Sequence, residues 1–149
     1  MVSGGWFETS PPVHDRYFAT AQKASGSKLR KVSQLIKWWK CLRTNSIPLR
    51  SFYADMVLAS HGICMGVKPY GECLHDFFAL LARGKCGALV DPCGIAGRID
   101  AANTEAQRQQ LLASVLHSLQ HAKAAIDLQR MRDFPGANRH WDIVFNGCF

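Results

Sequence analysis

From Arg16 to Ala54 the chain carries no acidic side chain. Other absences narrow what it can be. The six cysteines (Cys41, Cys64, Cys73, Cys86, Cys93, Cys148) form no C-x-x-C pair, so no metal knuckle is pre-formed. They read as free thiols of a reducing cytosol that pack as small hydrophobes, with a zinc site or a disulfide as lesser alternatives. No apolar run approaches the roughly 18 residues that a membrane span needs. Met1 to Glu8 offer neither a basic n-region nor an apolar h-region, so no secretory signal is expected and the chain is placed in the cytoplasm. Low-complexity runs are missing too, and a charged fraction of 19% with a mean hydropathy of −0.08 argues against disorder. There is no phosphate loop, no G-x-S-x-G elbow and no kinase signature. Nor is there any Asp-x-Asp or Asp-x-Glu, the closely spaced carboxylates that two-metal phosphoryl transfer requires.

What is present is one domain's worth of chain, 149 residues of which 48% are apolar, enough to bury roughly 70% of the unfolded surface. The net charge of +7 is concentrated at one end. Residues 1–54 hold nine basic groups (Arg16, Lys23, Lys28, Arg30, Lys31, Lys37, Lys40, Arg43, Arg50) against two acids, whereas the remainder cancels. Such a local field suits a polyanion, either a nucleoside triphosphate or nucleic acid. A solvated basic helix face is the plainer reading.

Residues 1–26 read as a leading segment in which Ser10-Pro11-Pro12 breaks any helix and Ser25-Gly26-Ser27 is a hinge. A helix is expected from about Lys28 to Arg43, because Leu29, Val32, Ile36 and Trp39 recur at helical spacing and Ser27 is available as N-cap. Arg30, Lys37 and Lys40 share its opposite edge. After the turn Asn45-Ser46-Ile47-Pro48, a second helix is expected from Pro48 to His61, ended by Gly62. A third runs from Gly71 to Arg83, with Leu74, Phe77, Phe78 and Leu81 inward and Gly84 closing it. Lys85 to Gly97 is irregular, centred on the turn Asp91-Pro92-Cys93-Gly94. Thr104-x-x-Gln107 matches a capping box and opens a helix of about 28 residues, which reaches Arg132 before Phe134-Pro135-Gly136 stops it. A short amphipathic piece with Trp141, Val144 and Phe145 packs the end back. No strand alternation occurs, so the fold class is all-α: a bundle of about four to six helices with one long C-terminal helix.

His117 and His121 stand four apart, which puts two imidazoles on one helix face. The glutamate of H-E-x-x-H is missing and no carboxylate third ligand is evident, so they read as exposed or core-edge histidines and no metal site is expected. Gly94-Ile95-Ala96-Gly97 has the form of a backbone-clamping GXXG loop, but without the surrounding helix-strand pattern it reads as a plain loop.

Several segments, in order, resemble one family. Lys28-Leu29-Arg30-Lys31-Val32-Ser33-Gln34-Leu35-Ile36-Lys37-Trp38-Trp39-Lys40, followed by Ile47-Pro48-Leu49-Arg50-Ser51-Phe52-Tyr53-Ala54-Asp55, is similar to the C-terminal helical lobe of the nucleotidyltransferases that include oligoadenylate synthetases and the cGAS/DncV-like enzymes (CD-NTases). Gly5-Trp6-Phe7-Glu8-Thr9-Ser10-Pro11-Pro12-Val13-His14 resembles that family's connector out of the catalytic lobe. Asp91-Pro92 resembles its turn before the last long helix, and Trp141-Asp142-Ile143-Val144-Phe145-Asn146-Gly147 its closing motif. One departure is Asp55, where the family often has glutamate.

The resemblance implies a connector over 1–27 and an oligoadenylate-synthetase-like helical nucleotide-binding lobe over 28–149. It implies the C-terminal half of an enzyme that makes cyclic or linear oligonucleotide second messengers in antiphage (antiviral) defence. The family's Gly-Ser motif and metal-binding acids lie upstream of the connector, so this half is expected to be truncated and inactive alone, with no catalytic residue of its own. Lys37 and Ser51 match the positions that contact the donor triphosphate, and Lys40 on the same edge completes the phosphate-binding set. Mg²⁺ and ATP or GTP are implied for the intact enzyme only. Implied partners are a nucleoside triphosphate and a separate catalytic lobe or a second copy, with no membrane. The alternative is a free-standing basic helical module that binds nucleic acid or a protein partner. A non-functional relic is a third reading, in which Trp6, Phe7 and Trp38 would be exposed and promote self-association.

Overall fold

A computed structural model describes residues 11–149. Trp6, Phe7 and the first part of the connector, through Ser10, lie outside the described residues. Six α-helices and one minimal hairpin follow in the order α1 (Pro11–Ala24), α2 (Lys28–Cys41), α3 (Ser51–Ser60), α4 (Tyr70–Arg83), β1 (Leu89–Val90), β2 (Arg98–Ile99), α5 (Glu105–Arg130) and α6 (Phe134–Val144). The bundle is all-α as expected, and no described helix is long and apolar enough to cross a membrane.

Pro11 and Pro12 open a helix instead of breaking one. Backbone N–H groups in the first turn have no intrahelical partner, so proline there sacrifices no hydrogen bond. Behind the prolines, α1 lays Tyr17, Phe18 and Ala21 against the core and packs on α2 and α3. It ends where Gly26 and Ser27 turn left-handed, at φ 66° and 73°. Ser27 does not cap α2 with its side chain. Ser25 Oγ accepts from Leu29 N at 3.1 Å and Gln22 Oε1 from Arg30 N at 2.6 Å, so the preceding turn supplies the cap.

The second predicted helix starts three residues late. Ile47 and Leu49 are buried in a strap across the core, and Arg50 N donates to Ala101 O at 2.8 Å, which holds the backbone extended until Ser51. The Leu89↔Ile99 and Val90↔Arg98 ladder falls in the stretch read as irregular, since two residues per strand cannot show alternation. In α5 the capping box forms, with Thr104 Oγ1 accepting from Gln107 N at 3.1 Å. Gln107 Oε1 reaches Asn103 N at 3.2 Å, one residue before the reciprocal position. Phe134-Pro135-Gly136 is the first turn of α6, not a stop, and is capped by Asp133 Oδ1 accepting from Gly136 N at 3.0 Å.

The core is built around Trp39 of α2 and Phe77 and Phe78 of α4, all fully buried, with the Trp39 and Phe78 rings 5.0 Å apart. Leu111, Val115, Ala122 and Ala125 close it from α5. Trp39 Nε1 donates to Ser118 Oγ at 2.9 Å, so the buried indole N–H is satisfied.

Candidate functional site at the edge between α2 and α3

Ser33, Lys37 and Lys40 are spaced by four and three along α2, and Ser51 and Asp55 by four along α3, so each set occupies one helix face. Packing of α2 on α3 brings the two faces together in two layers. In the upper layer Asp55 takes Ser33 Oγ at 2.5 Å on Oδ1 and Lys37 Nζ at 3.2 Å on Oδ2. In the lower layer Lys40 Nζ donates to Leu49 O and lies 3.5 Å from Ser51 Oγ. Ser51 is the first residue of α3, whose N-terminus has no side-chain cap and no acid in its first turn. An ammonium, a hydroxyl and the positive end of a helix therefore converge at Lys40 and Ser51, a combination that favours negative charge.

Lys37, Lys40 and Ser51, the three predicted phosphate contacts, thus share one edge. The unforeseen member is Asp55, which half-neutralises the site by pairing with Lys37, itself 42% exposed. The four-residue spacing to Ser51 was a usable signal for it. Of the other seven basic groups in this stretch, two are committed to backbone carbonyls and five are exposed. Lys28 Nζ donates to Gly66 O at 2.5 Å and Lys68 O at 2.9 Å. Arg43 donates to Trp39 O at 2.9 Å and Val144 O at 3.0 Å, and burial lowers its guanidinium's pKa. Arg16, Lys23, Arg30, Lys31 and Arg50 face solvent.

A second constellation joins the leading helix to the Asp-Pro turn. His14 Nε2 is 3.1 and 3.0 Å from the two oxygens of Asp91, and its ring meets Phe52 edge-on at 4.9 Å. Asp91 also accepts from the N–H groups of Cys93, Ile95 and Ala96 at 3.0, 3.0 and 2.8 Å. Burial pushes this carboxyl up, but the hydrogen bonds from Ala96, Cys93, His14 and Ile95 outweigh it and hold the pKa at about 2. His14, Asp91 and Cys93 present ligand atoms within 4.8 Å of one another, as a metal site would. With the carboxylate filled by three N–H groups and an imidazole, the cluster is a structural clip. The same bonds settle the GXXG loop: the N–H groups of Ile95 and Ala96 point inward to Asp91 and are spent there.

His117 and His121 lie elsewhere, on α5 beside α6. Burial, then the neighbouring His117 and His140, lower the His121 pKa. An apolar cleft of about 510 Å³ opens between α4, α5 and α6, lined among others by Tyr70, Phe134, Trp141 and Phe149, and none of the predicted phosphate contacts reaches it. All six cysteines are free. Trp38 is 40% exposed yet stacks on Phe145 at 5.0 Å. Compared with known proteins, the chain matches no family model and no curated protein.

Proposed function

We propose that this chain is the C-terminal nucleotide-binding half of a CD-NTase-type nucleotidyltransferase and holds a donor triphosphate at the edge between α2 and α3. The observation that carries the reading is the convergence of Lys40, Ser51 and the uncapped N-terminus of α3, with Lys37 one turn away on α2. A phosphate group at this point accepts hydrogen bonds from the Ser51 hydroxyl and the first N–H groups of α3, while Lys40 offsets its charge. A second phosphate farther along competes with Asp55 for Lys37. The edge binds and orients and does no bond-breaking chemistry. The Mg²⁺ that supports phosphoryl transfer would be held by carboxylates outside this chain, since Asp55 is a single acid already engaged by Ser33 and Lys37.

Calorimetric titration with ATP and GTP tests the reading. Lys40→Ala and Ser51→Ala each weaken binding at least about tenfold, as expected for loss of a charge-assisted contact. The chain supplied with ATP, GTP and Mg²⁺ yields no oligonucleotide. Product that survives rigorous purification overturns the half-enzyme reading.

One observation favours the other class. Arg16, Lys23, Arg30, Lys31 and Arg50 stay exposed, which suits a nucleic-acid-binding module. That reading requires duplex affinity that falls steeply with salt and depends on Arg16 and Lys23 more than on Ser51.

A further inference from the structure

The two histidines of α5 acquire a third from α6. Across the helical hairpin, His121 Nδ1 lies 2.9 Å from His140 Nδ1, with ring centroids 5.1 Å apart. On the other side His117 meets His121 at a centroid separation of 4.8 Å and an interplanar angle of 68°. A spacing of four on one helix plus a residue from its neighbour is how small helical sites gather imidazoles.

The distances between His121 and His140 match shared ligation. Metal–nitrogen bonds of about 2.0–2.1 Å place two donor atoms roughly 2.9 Å apart at a right angle and roughly 3.3 Å apart at a tetrahedral angle, with ring centroids roughly 5 Å apart. The His121–His140 separation falls in that range before any side chain moves, while the exposed His117, in ring contact with His121, must rotate to bring a nitrogen to the same point. His121 and His140 are half-buried and His117 is exposed, so two ligands sit on the packed hairpin and the third faces the water from which an ion arrives. A carboxylate was the third ligand missing from the linear pattern; the fold supplies an imidazole instead.

We propose that His117, His121 and His140 bind one divalent transition-metal ion of imidazole preference, Zn²⁺, Ni²⁺ or Cu²⁺, with water completing the coordination. The site is independent of the α2–α3 edge. Bound metal ties α6 to α5 and stabilises the hairpin by linkage.

The test is titration of the metal-stripped full chain with NiCl₂, followed by calorimetry and thermal melting. One ion per chain binds with micromolar affinity and raises the Tm. His121→Ala and His140→Ala each reduce affinity at least tenfold and abolish the Tm rise, while helix content by circular dichroism reports that the variants fold. His117→Asn, an exposed change, weakens binding without altering the metal-free Tm. Cys93→Ser leaves binding unchanged. Absence of stoichiometric binding, survival of binding in the His121→Ala/His140→Ala double variant, loss of binding in Cys93→Ser, or a thiolate-to-metal charge-transfer band with Co²⁺ each overturns the proposal.

Discussion

His14 Nε2 lies 3.0 Å from Asp91 Oδ2, a buried bond between residues 77 apart in the chain. Because the carboxyl is held at about 2, below its ordinary value of 3.8, its stabilising effect is present above about pH 4 and is lost as pH falls through 2. The shift corresponds to about 2 kcal/mol. Urea melts between pH 5 and pH 2 should show a loss of this size that is absent in Asp91→Asn, which itself is destabilised at neutral pH.

Asp55 holds Lys37, and in the proposed function it opposes an incoming phosphate. Replacing it with asparagine keeps an acceptor for Ser33 and removes the charge, so ATP affinity should rise roughly threefold to tenfold. Lys37→Ala in the same background should cancel the gain. Calorimetry decides it, and unchanged affinity in Asp55→Asn would remove Lys37 from the site.

The pair Trp39 and Ser118 is wholly buried. Ser118→Ala leaves the indole N–H without its acceptor and should cost about 1–3 kcal/mol in denaturant unfolding. Restoring a hydroxyl with Ser118→Thr should recover part of that, less the strain of an added methyl in a packed site.

At Gly71 a Cβ would sit 3.0 Å from Trp141 Cζ2, a tighter contact than most side chains make, so the α6 indole would have to give way by a few tenths of an ångström. Gly71→Ala should therefore lower the Tm despite the higher helix propensity of alanine. Its tryptophan fluorescence should shift as the Trp141 ring is displaced. A raised Tm would mean that the indole yields freely.

Much of the fold was legible because α2, α4 and α5 each keep an apolar face at helical spacing, and Thr104-x-x-Gln107 marked the start of α5 within a residue. In the leading helix Val13, Tyr17 and Ala21 recur every four residues, but paired prolines fit a break as well as a beginning, and only their place in the first turn decides between them. At the candidate site, helix phase alone brings Lys37 and Lys40 to one edge, but the engagement of Asp55 depends on how α2 and α3 are rotated against each other. The His14–Asp91 bond and the approach of His140 to His121 have no local signature, because each joins side chains whose proximity only the finished packing creates.

The clip at Asp91 also has a temporal side. A ribosome adding about 5–20 residues each second incorporates His14 some 4–15 s before Asp91. Throughout that interval α1 has α2 and α3 to pack on but lacks the turn that pins His14, so Tyr17 and Phe18 are held by apolar contact alone. Slow-codon stretches between positions 24 and 91 should lengthen that interval, and a chaperone that samples nascent apolar helices would find its opportunity there.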